Sequence, residues 1–261
     1  GKETTAFQYR PSQLQSAHPE NWGLDDAFVY IWPGHNWFAW NKPIRSIDAE
    51  NYTITLGGNE GYDMIAGNRY IIKNSLSLLT QPGECVISPI KGKVYVWPTV
   101  TPIEKESLVI STNRNVIAIH GSAPNKPVRN LHIEGFNLSA ANRAVIEVTG
   151  AEDCSVRFCR IENGAEEGVL LNAYAQRITI YGNLIRHNGY DGVSLQGLPP
   201  GNEDVSHHNV VENNHIHHCG ELVGHAAGVH ISQSGFNEIT HNHIHHIPRY
   251  GTTIKGVRYQ V

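Results

Sequence analysis

Three residues in the C-terminal half of the chain have side chains suited to proton transfer: Asp191, Glu221 and His230. A pair of carboxyl groups can supply a proton donor and a proton acceptor, and an imidazole titrates near neutral pH. Non-catalytic interpretations also exist, because Asp191 beside Gly192 could cap a turn and Glu221 could be a solvated loop charge. The residue types therefore favour acid–base chemistry, with these three as candidate catalytic residues, without defining a catalytic pair.

Further polar residues lie close to these three in the sequence. The candidates for substrate contacts are Gln196, His225, Arg249 and Lys255. Other carboxylates occur at Glu203 and Asp204, and also at Glu166 and Glu167 in a turn one repeat earlier. We expect Glu166 and Glu167 to lie at the end of the site.

Histidine is concentrated in the same region, where twelve of the sixteen histidines fall between His187 and His246. When the repeats described below are superposed, they form three columns: His215 with His243, His217 with His245, and His187 with His218 and His246. Stacked identical residues about 4.8 Å apart are typical of side-chain ladders, which is our interpretation here. Imidazole is also a common metal ligand. No carboxylate or cysteine recurs at a ligand-like offset, so we predict neither a metal site nor a cofactor, and no motif supports structural calcium.

The elements that position these residues follow from a repeat. Apolar anchors at Leu138, Ile161, Ile185, Ile216 and Ile244 are separated by 23, 24, 31 and 28 residues. Short alternating segments divided by Asn and Gly predict three strands in each unit, and the period leaves no room for a crossover helix. The sequence thus predicts an all-β fold, a right-handed parallel β-helix, with Asn183, Asn214 and Asn242 in one inward column.

One face of this solenoid is expected to carry the site. The strands at 192–196, 228–232 and 251–255 place polar residues outward, and the extra length of the longer repeats falls in the loops at 196–209 and 219–228. Long loops on adjacent corners of a rigid scaffold build the walls of a cleft. An elongated polar groove suits a polysaccharide or an oligosaccharide.

Composition limits the other possibilities. The chain has 261 residues and a net charge of −4, with no apolar run long enough for a membrane span and no basic patch for nucleic acid. The four cysteines lack metal-ligand spacing, and we interpret Cys154 and Cys159 as buried thiols. Composition does not determine the oligomeric state.

The chain divides into two regions by pattern. Residues 1–125 are predicted to be an irregular β-rich region that caps the first turns, with one helix candidate at about 67–79. Residues 126–261 are predicted to form about five rungs of the β-helix. Because the repeat is still running at Val261, we expect the helix to be C-terminally incomplete in this chain.

Two segments resemble a known group of proteins. The run AGNRYIIKNSLSLLTQPGECVISPIKGKVYVWP at 66–98 and the run HNHIHHIPRYG at 241–251 are similar to segments of large secreted bacterial β-helix proteins of the glycoside-hydrolase-like type. That resemblance implies carbohydrate chemistry on a polysaccharide and a secreted, periplasmic or cell-surface location. An acidic segment typical of the relatives' later rungs is absent here, so principal catalytic acids of the whole protein could lie beyond Val261.

Two alternatives to a glycoside hydrolase stay open. A polysaccharide lyase would use a base such as Lys255, Arg249, Tyr250 or His230 beside a uronate carboxylate. A non-catalytic glycan-binding or cell-surface structural solenoid would need no catalytic residues, although the inserted loops favour a site.

Overall fold

The computed structural model describes residues 5–10, 22–58, 63–105 and 107–256. The chain divides into two compact units, residues 1–108 and 109–261. That the first unit caps the second remains a prediction.

The first unit is built on an antiparallel sheet with the strand order β1-β4-β3-β2-β5. Its strands are β1 (Ala6–Gln8), β2 (Phe28–Ile31), β3 (Trp40–Asp48), β4 (Thr53–Leu56) and β5 (Tyr70–Lys73), followed by a hairpin of β6 (Cys85–Ser88) and β7 (Lys93–Val96). Buried Val29, Ile31 and Ile54 lie at the centre of its core.

The helix predicted at about 67–79 is wrong. That segment contains β5 and only a single turn of 3-10 helix at Leu76–Leu78; a second 3-10 turn lies at Ile103–Lys105. In β5, Ile72 pairs with Val29 and Tyr70 pairs with Ile31 of β2. The apolar residues of this segment fit either period, and pairing with β2 satisfies the backbone and selects the strand.

The second unit is a parallel β-helix with four sheets, which we name A to D. Sheet A contains β8 (Ile117–His120), β12 (Ile146–Thr149), β16 (Val169–Asn172), β20 (Val193–Gln196), β24 (Ala227–Ser232) and β27 (Tyr250–Lys255). Sheet B contains β10 (His132–Glu134), β14 (Ser155–Arg157), β18 (Thr179–Tyr181), β22 (Val210–Glu212) and β25 (Glu238–Thr240). Sheet C contains β11 (Asn137–Ala141), β15 (Arg160–Gly164), β19 (Leu184–Arg186), β23 (His215–His217) and β26 (His243–His245). Sheet D contains β9 (Val128–Arg129), β13 (Ala151–Glu152), β17 (Ala175–Gln176) and β21 (Ser206–His207).

Two details differ from the predicted repeat. Four turns of the helix include a fourth strand, the two-residue strand of sheet D, where three strands were predicted. Sheet A begins upstream of residue 126, because β8 pairs in parallel with β12 through Ile117 and Ile146. The short apolar run IAIH at 117–120 was too brief to be recognised as a repeat.

The predicted columns are confirmed by the register of the strands. The five apolar anchors from Leu138 to Ile244 pair consecutively along sheet C. Ile161, Ile185 and Ile216 have no solvent exposure, so each contributes about 1.5–3 kcal/mol of apolar burial.

The asparagine column is also confirmed. The side-chain amide of Asn183 donates to Oδ1 of Asn214 at 2.9 Å, and that of Asn214 donates to Oδ1 of Asn242 at 3.0 Å. The same oxygens accept the backbone N–H of the residue one rung below, which satisfies amides at the turn. A second column, Asn209 with Asn237, forms in the same way.

Glycines at the start of the later sheet A strands allow a close approach to sheet C. A Cβ on Gly192 would lie 2.4 Å from Cγ2 of Ile216, and one on Gly228 would lie 2.4 Å from Cγ2 of Ile244. The absence of a side chain therefore lets sheet A start directly against the apolar column of sheet C. Because of this close approach, the residue before each glycine is held at a defined position.

The cysteines are all free thiols. Cys154, Cys159 and Cys219 are buried and Cys85 is exposed, as the interpretation of Cys154 and Cys159 required. Among the residues that the structure describes, no helix is long and apolar enough to cross a membrane.

Candidate active site

The candidate site lies where the chain enters sheet A. The backbone N–H of Gly168 donates to the carbonyl of Asp191, and that of Gly192 donates to the carbonyl of Ala227, both at 3.0 Å. Glu167 and Asp191, each the residue before its glycine, therefore occupy equivalent positions on adjacent rungs. Neighbouring strands are about 4.8 Å apart. Two carboxyl groups are thus placed side by side.

Asp191 is held on both oxygens. Its Oδ1 accepts the backbone N–H of Ala227 at 2.7 Å, and its Oδ2 lies 2.9 Å from Nδ1 of His230. The carboxyl group is almost fully buried. Asp191 therefore does cap a backbone amide, as the non-catalytic interpretation required, but it also contacts an imidazole.

His230 is oriented by this contact. A carboxylate only accepts, so the imidazole carries a proton on Nδ1, and in the neutral form Nε2 is the basic nitrogen. This Nε2 is shielded from solvent and has no hydrogen-bond partner among the described residues. The arrangement resembles the carboxylate–histidine half of a catalytic triad, in which the acid fixes the tautomer of the base.

Glu167 is the residue that sequence analysis undervalued. It is buried, and its Oε2 has no hydrogen-bond partner within the described part of the chain. Burial raises the pKa of Glu167 to about 7, and the negative charges of Glu166 and Asp191 act in the same direction. A carboxyl group with such a pKa is still protonated in a large fraction of molecules near neutral pH and is suited to act as a general acid. The signal in the sequence was the alignment of EGV at 167–169 with DGV at 191–193.

The flanking acids differ from Glu167 because Arg143 pairs with them. Nη1 of Arg143 donates to Glu147 at 2.7 Å, and its Nε donates to Glu166 at 3.1 Å. Glu147 and Glu166 are therefore occupied in ion pairs. Tyr190, which adjoins Asp191 in sequence, has its pKa raised to about 12 by burial and by the charges of Asp191 and Glu167. Its hydroxyl therefore stays protonated and can donate a hydrogen bond.

Glu221 lies in a different environment. Its Oε1 is 2.8 Å from Nδ1 of His187, and about half of its side chain is exposed. Asp191 is bonded to Ala227 and His230 instead, so no described hydrogen bond or ion pair joins the two predicted catalytic carboxylates. The partner of Glu221 belongs to the histidine columns beside sheet C.

The four predicted substrate contacts lie at or beside the last strands of sheet A. Gln196 and Lys255 share an outward column with Asn172 and Ser232. Burial lowers the pKa of His225, and the positive charges of Arg249, Lys255 and His230 lower it further. The guanidinium of Arg249 lies over the ring of Tyr250, 4.9 Å from its centroid. A basic group of side chains therefore adjoins His230.

The inserted loops flank this sheet as expected. One loop connects the end of β20 at Gln196 to β21, and the other connects the end of β23 at His217 to β24. Glu203 and Asp204 lie in the first loop.

The histidine columns are confirmed as stacks. The ring centroids of His215 and His243 are 4.9 Å apart with an interplanar angle of 8°, and those of His217 and His245 are 4.9 Å apart at 5°. His218 and His246 stack in the same way at 4.6 Å. Burial and the neighbouring imidazoles lower the pKa of His217 to about 4, so this ring is neutral at physiological pH.

Fold and register define the class of this protein as a right-handed parallel β-helix. Residues 103–259 match the family model described as right handed beta helix region, and the chain belongs to that family. A solved structure named "Glycoside hydrolase" is similar to this chain with a TM-score of 0.77 and 14% sequence identity. The alignment covers 97% of this chain and 56% of the solved one, so this chain spans little more than half of that protein. No curated protein matches the sequence.

Proposed function

We propose that this chain is the β-helix part of a carbohydrate-active enzyme that hydrolyses a polysaccharide at the outer face of sheet A. The observation that carries the proposal is the pair of Glu167 and Asp191, adjacent carboxyl groups in opposite environments. Glycoside hydrolysis requires one protonated acid and one ionised carboxylate across the scissile bond. The name of the similar solved structure agrees with this chemistry but belongs to that protein.

In this proposal Glu167 protonates the leaving oxygen of the glycosidic bond. Asp191 carries the negative charge that stabilises the developing positive charge at the sugar ring or attacks it. The hydrogen bonds from Ala227 and His230 hold the carboxyl group of Asp191 in place. Adjacent rungs space the two residues by about 4.8 Å at the backbone, nearer to the 5–5.5 Å carboxyl separation of retaining enzymes than to the 6.5–9.5 Å of inverting ones. We therefore expect retention of configuration.

Access to the pair requires movement. Oε2 of Glu167 and Nε2 of His230 are both shielded from solvent. Sugar binding must therefore displace the side chains over them. The bound sugar would then cover the reacting groups and exclude water from the site.

The basic side chains beside His230 favour an acidic sugar. The charges of Arg249 and Lys255 lower the pKa of His225, and that pKa also depends on His230 and Asp191. The guanidinium of Arg249 and the ammonium of Lys255 can bind the carboxylate of a uronate or a sulfate ester. Since polysaccharides of this type are extracellular, the proposal includes a secreted, periplasmic or cell-surface location.

One observation favours a second candidate, a polysaccharide lyase. Nε2 of His230 is positioned by Asp191 and has no described hydrogen-bond partner, as a general base requires. A lyase would use that base on the proton beside a uronate carboxylate, with Arg249 or Lys255 neutralising the carboxylate. A non-catalytic glycan-binding or structural role would use only the basic side chains.

The test is digestion of a panel of neutral and acidic polysaccharides with the wild-type chain and with Glu167→Gln. New reducing ends without the ultraviolet absorbance of an unsaturated uronate, lost in the variant, would support the hydrolase. New absorbance would support the lyase. Binding without any cleavage would leave the non-catalytic role.

A further inference from the structure

A group of three histidines lies away from the carboxyl pair, on sheet C. His215 belongs to β23 and pairs directly with His243 on β26, while His245 follows two residues later on the same face. One ring nitrogen from each of the three lies within 4.8 Å of the other two. No residue of the candidate active site belongs to this group.

Stacking of identical rings does not explain the contact between His215 and His245. In a ladder, His215 packs on His243 and His217 packs on His245, and both stacks are present. His215 and His245 instead meet diagonally, with their rings at 46° and their Nε2 atoms 2.7 Å apart. Two imidazole nitrogens aimed at one point share either a proton or a metal ion.

The spacing fits a metal ion after small side-chain rotations. Zn–N bonds are about 2.0–2.1 Å long, so two ligand nitrogens on a tetrahedral ion are roughly 3.3 Å apart. The observed separations, from 2.7 Å up to the 4.8 Å limit, bracket this value. The other nitrogen of His245, Nδ1, contacts Nδ1 of His246, and this contact restricts the orientation of the His245 ring.

We propose that His215, His243 and His245 form a binding site for a divalent transition-metal ion that prefers imidazole, with Zn²⁺ as the representative. All three donors are nitrogen, which selects zinc, nickel or copper over calcium and magnesium. Three protein ligands leave a fourth position for water. The prediction of no metal site rested on the lack of carboxylate and cysteine ligands, and three imidazoles do not need them.

The ion would join two adjacent rungs. His215 comes from one repeat and His243 and His245 come from the next, 28 and 30 residues later. Because an unfolded chain does not hold these residues together, binding stabilises the folded chain by mass action. The site differs in this respect from a flexible histidine-rich segment, whose binding would survive unfolding.

The test uses the chelator-treated 261-residue chain and Zn²⁺ alone as the probe. We expect saturable binding of one ion, a rise in Tm with zinc concentration, and loss of at least about 10- to 100-fold in affinity for His215→Gln, His243→Gln and His245→Gln. The matched control is His241→Gln, an exposed histidine two residues from His243 whose removal should leave the affinity unchanged. Circular dichroism verifies that each variant is folded.

X-ray absorption of the zinc-loaded wild-type chain supplies a measurement that needs no variant. It should show three imidazole nitrogens in the first coordination shell. Equal binding by all four variants, binding that persists in urea, or a first shell that contains fewer than three imidazoles would overturn the proposal. Failure of zinc to bind at micromolar concentration would overturn it as well. None of these outcomes bears on the carboxyl pair of sheet A.

Discussion

Oδ2 of Asp191 and Nδ1 of His230 lie 2.9 Å apart although 39 residues separate them in the sequence. One residue precedes β20 and the other lies within β24, so the contact crosses from one rung to the next. It orients the imidazole and fixes its tautomer, and it gives the buried carboxyl group a hydrogen-bond partner.

Asp191→Asn should reduce turnover by at least about 100-fold on any polysaccharide that the chain cleaves. The amide oxygen can still accept the N–H of Ala227, but the amide cannot replace the negative charge that faces His230. Steady-state kinetics measure this loss. The control is Glu221→Gln, which alters an exposed contact with His187 and should retain turnover close to wild type. Similar turnover in Asp191→Asn and wild type would remove Asp191 from the mechanism.

Glu167→Gln should lower kcat by a factor of about 10²–10⁴ if Glu167 is the general acid. With the pKa of Glu167 raised to about 7, wild-type activity should fall as the pH rises above neutrality, because the acid then loses its proton. For an aryl glycoside with a good leaving group, the substitution should lower kcat less, because departure of that group needs less protonation. An equal loss on both substrates would argue against the acid role.

The same variant should change the pH dependence of stability. The unfolded chain releases this proton near the ordinary pKa of 4.5, whereas the folded chain keeps it up to a pH of about 7. The free energy of unfolding of the wild type should therefore decrease as the pH rises between these values and stay low above them. Glu167→Gln lacks this penalty. The free energy of unfolding of the variant, relative to that of the wild type, should therefore be up to about 3 kcal/mol higher at pH 8 than at pH 4. Urea titrations at both pH values measure the difference, and parallel pH profiles would refute it.

Ile185→Asp should unfold or aggregate the chain. Ile185 has no solvent exposure and is stacked between Ile161 and Ile216, so an aspartate there would be an unpaired buried charge. Ile185→Val is the matched control and should cost only about 0.5–1.5 kcal/mol. Far-ultraviolet circular dichroism and thermal melting distinguish the two results. A folded Ile185→Asp chain with wild-type Tm would contradict the packing described here.

Arg249→Ala and Lys255→Ala should raise KM for an acidic polysaccharide about 10-fold each and change kcat little, because they bind a charge remote from the reacting bond. On a neutral polysaccharide they should have little effect. Arg157→Ala, an exposed arginine of sheet B, is the control for a general loss of positive charge. Equal effects of all three variants would place the acidic sugar elsewhere.

The repeat alone was sufficient to predict the solenoid, its apolar anchors and its asparagine column. In a stacked fold each inward position meets its equivalent one rung away, so the same residue type recurs at the same step and is visible in the sequence. The segment 67–79 lacked such a repeat. Its apolar residues fitted two periods, and only the pairing of Ile72 with Val29 decided for a strand.

The candidate active site was also only partly predictable from the sequence. The sequence by itself placed Asp191 and His230 on one face, because Asp191 precedes one repeated strand of sheet A and His230 lies within the next. It could not assign the direction of Glu221, since inserted loops carry no repeat, and the tertiary structure turns that side chain to His187. Nor could it distinguish Glu167 from Glu166. Only the folded chain determines that one is buried with a raised pKa and the other pairs with Arg143, because burial and charge proximity are properties of the assembled rungs.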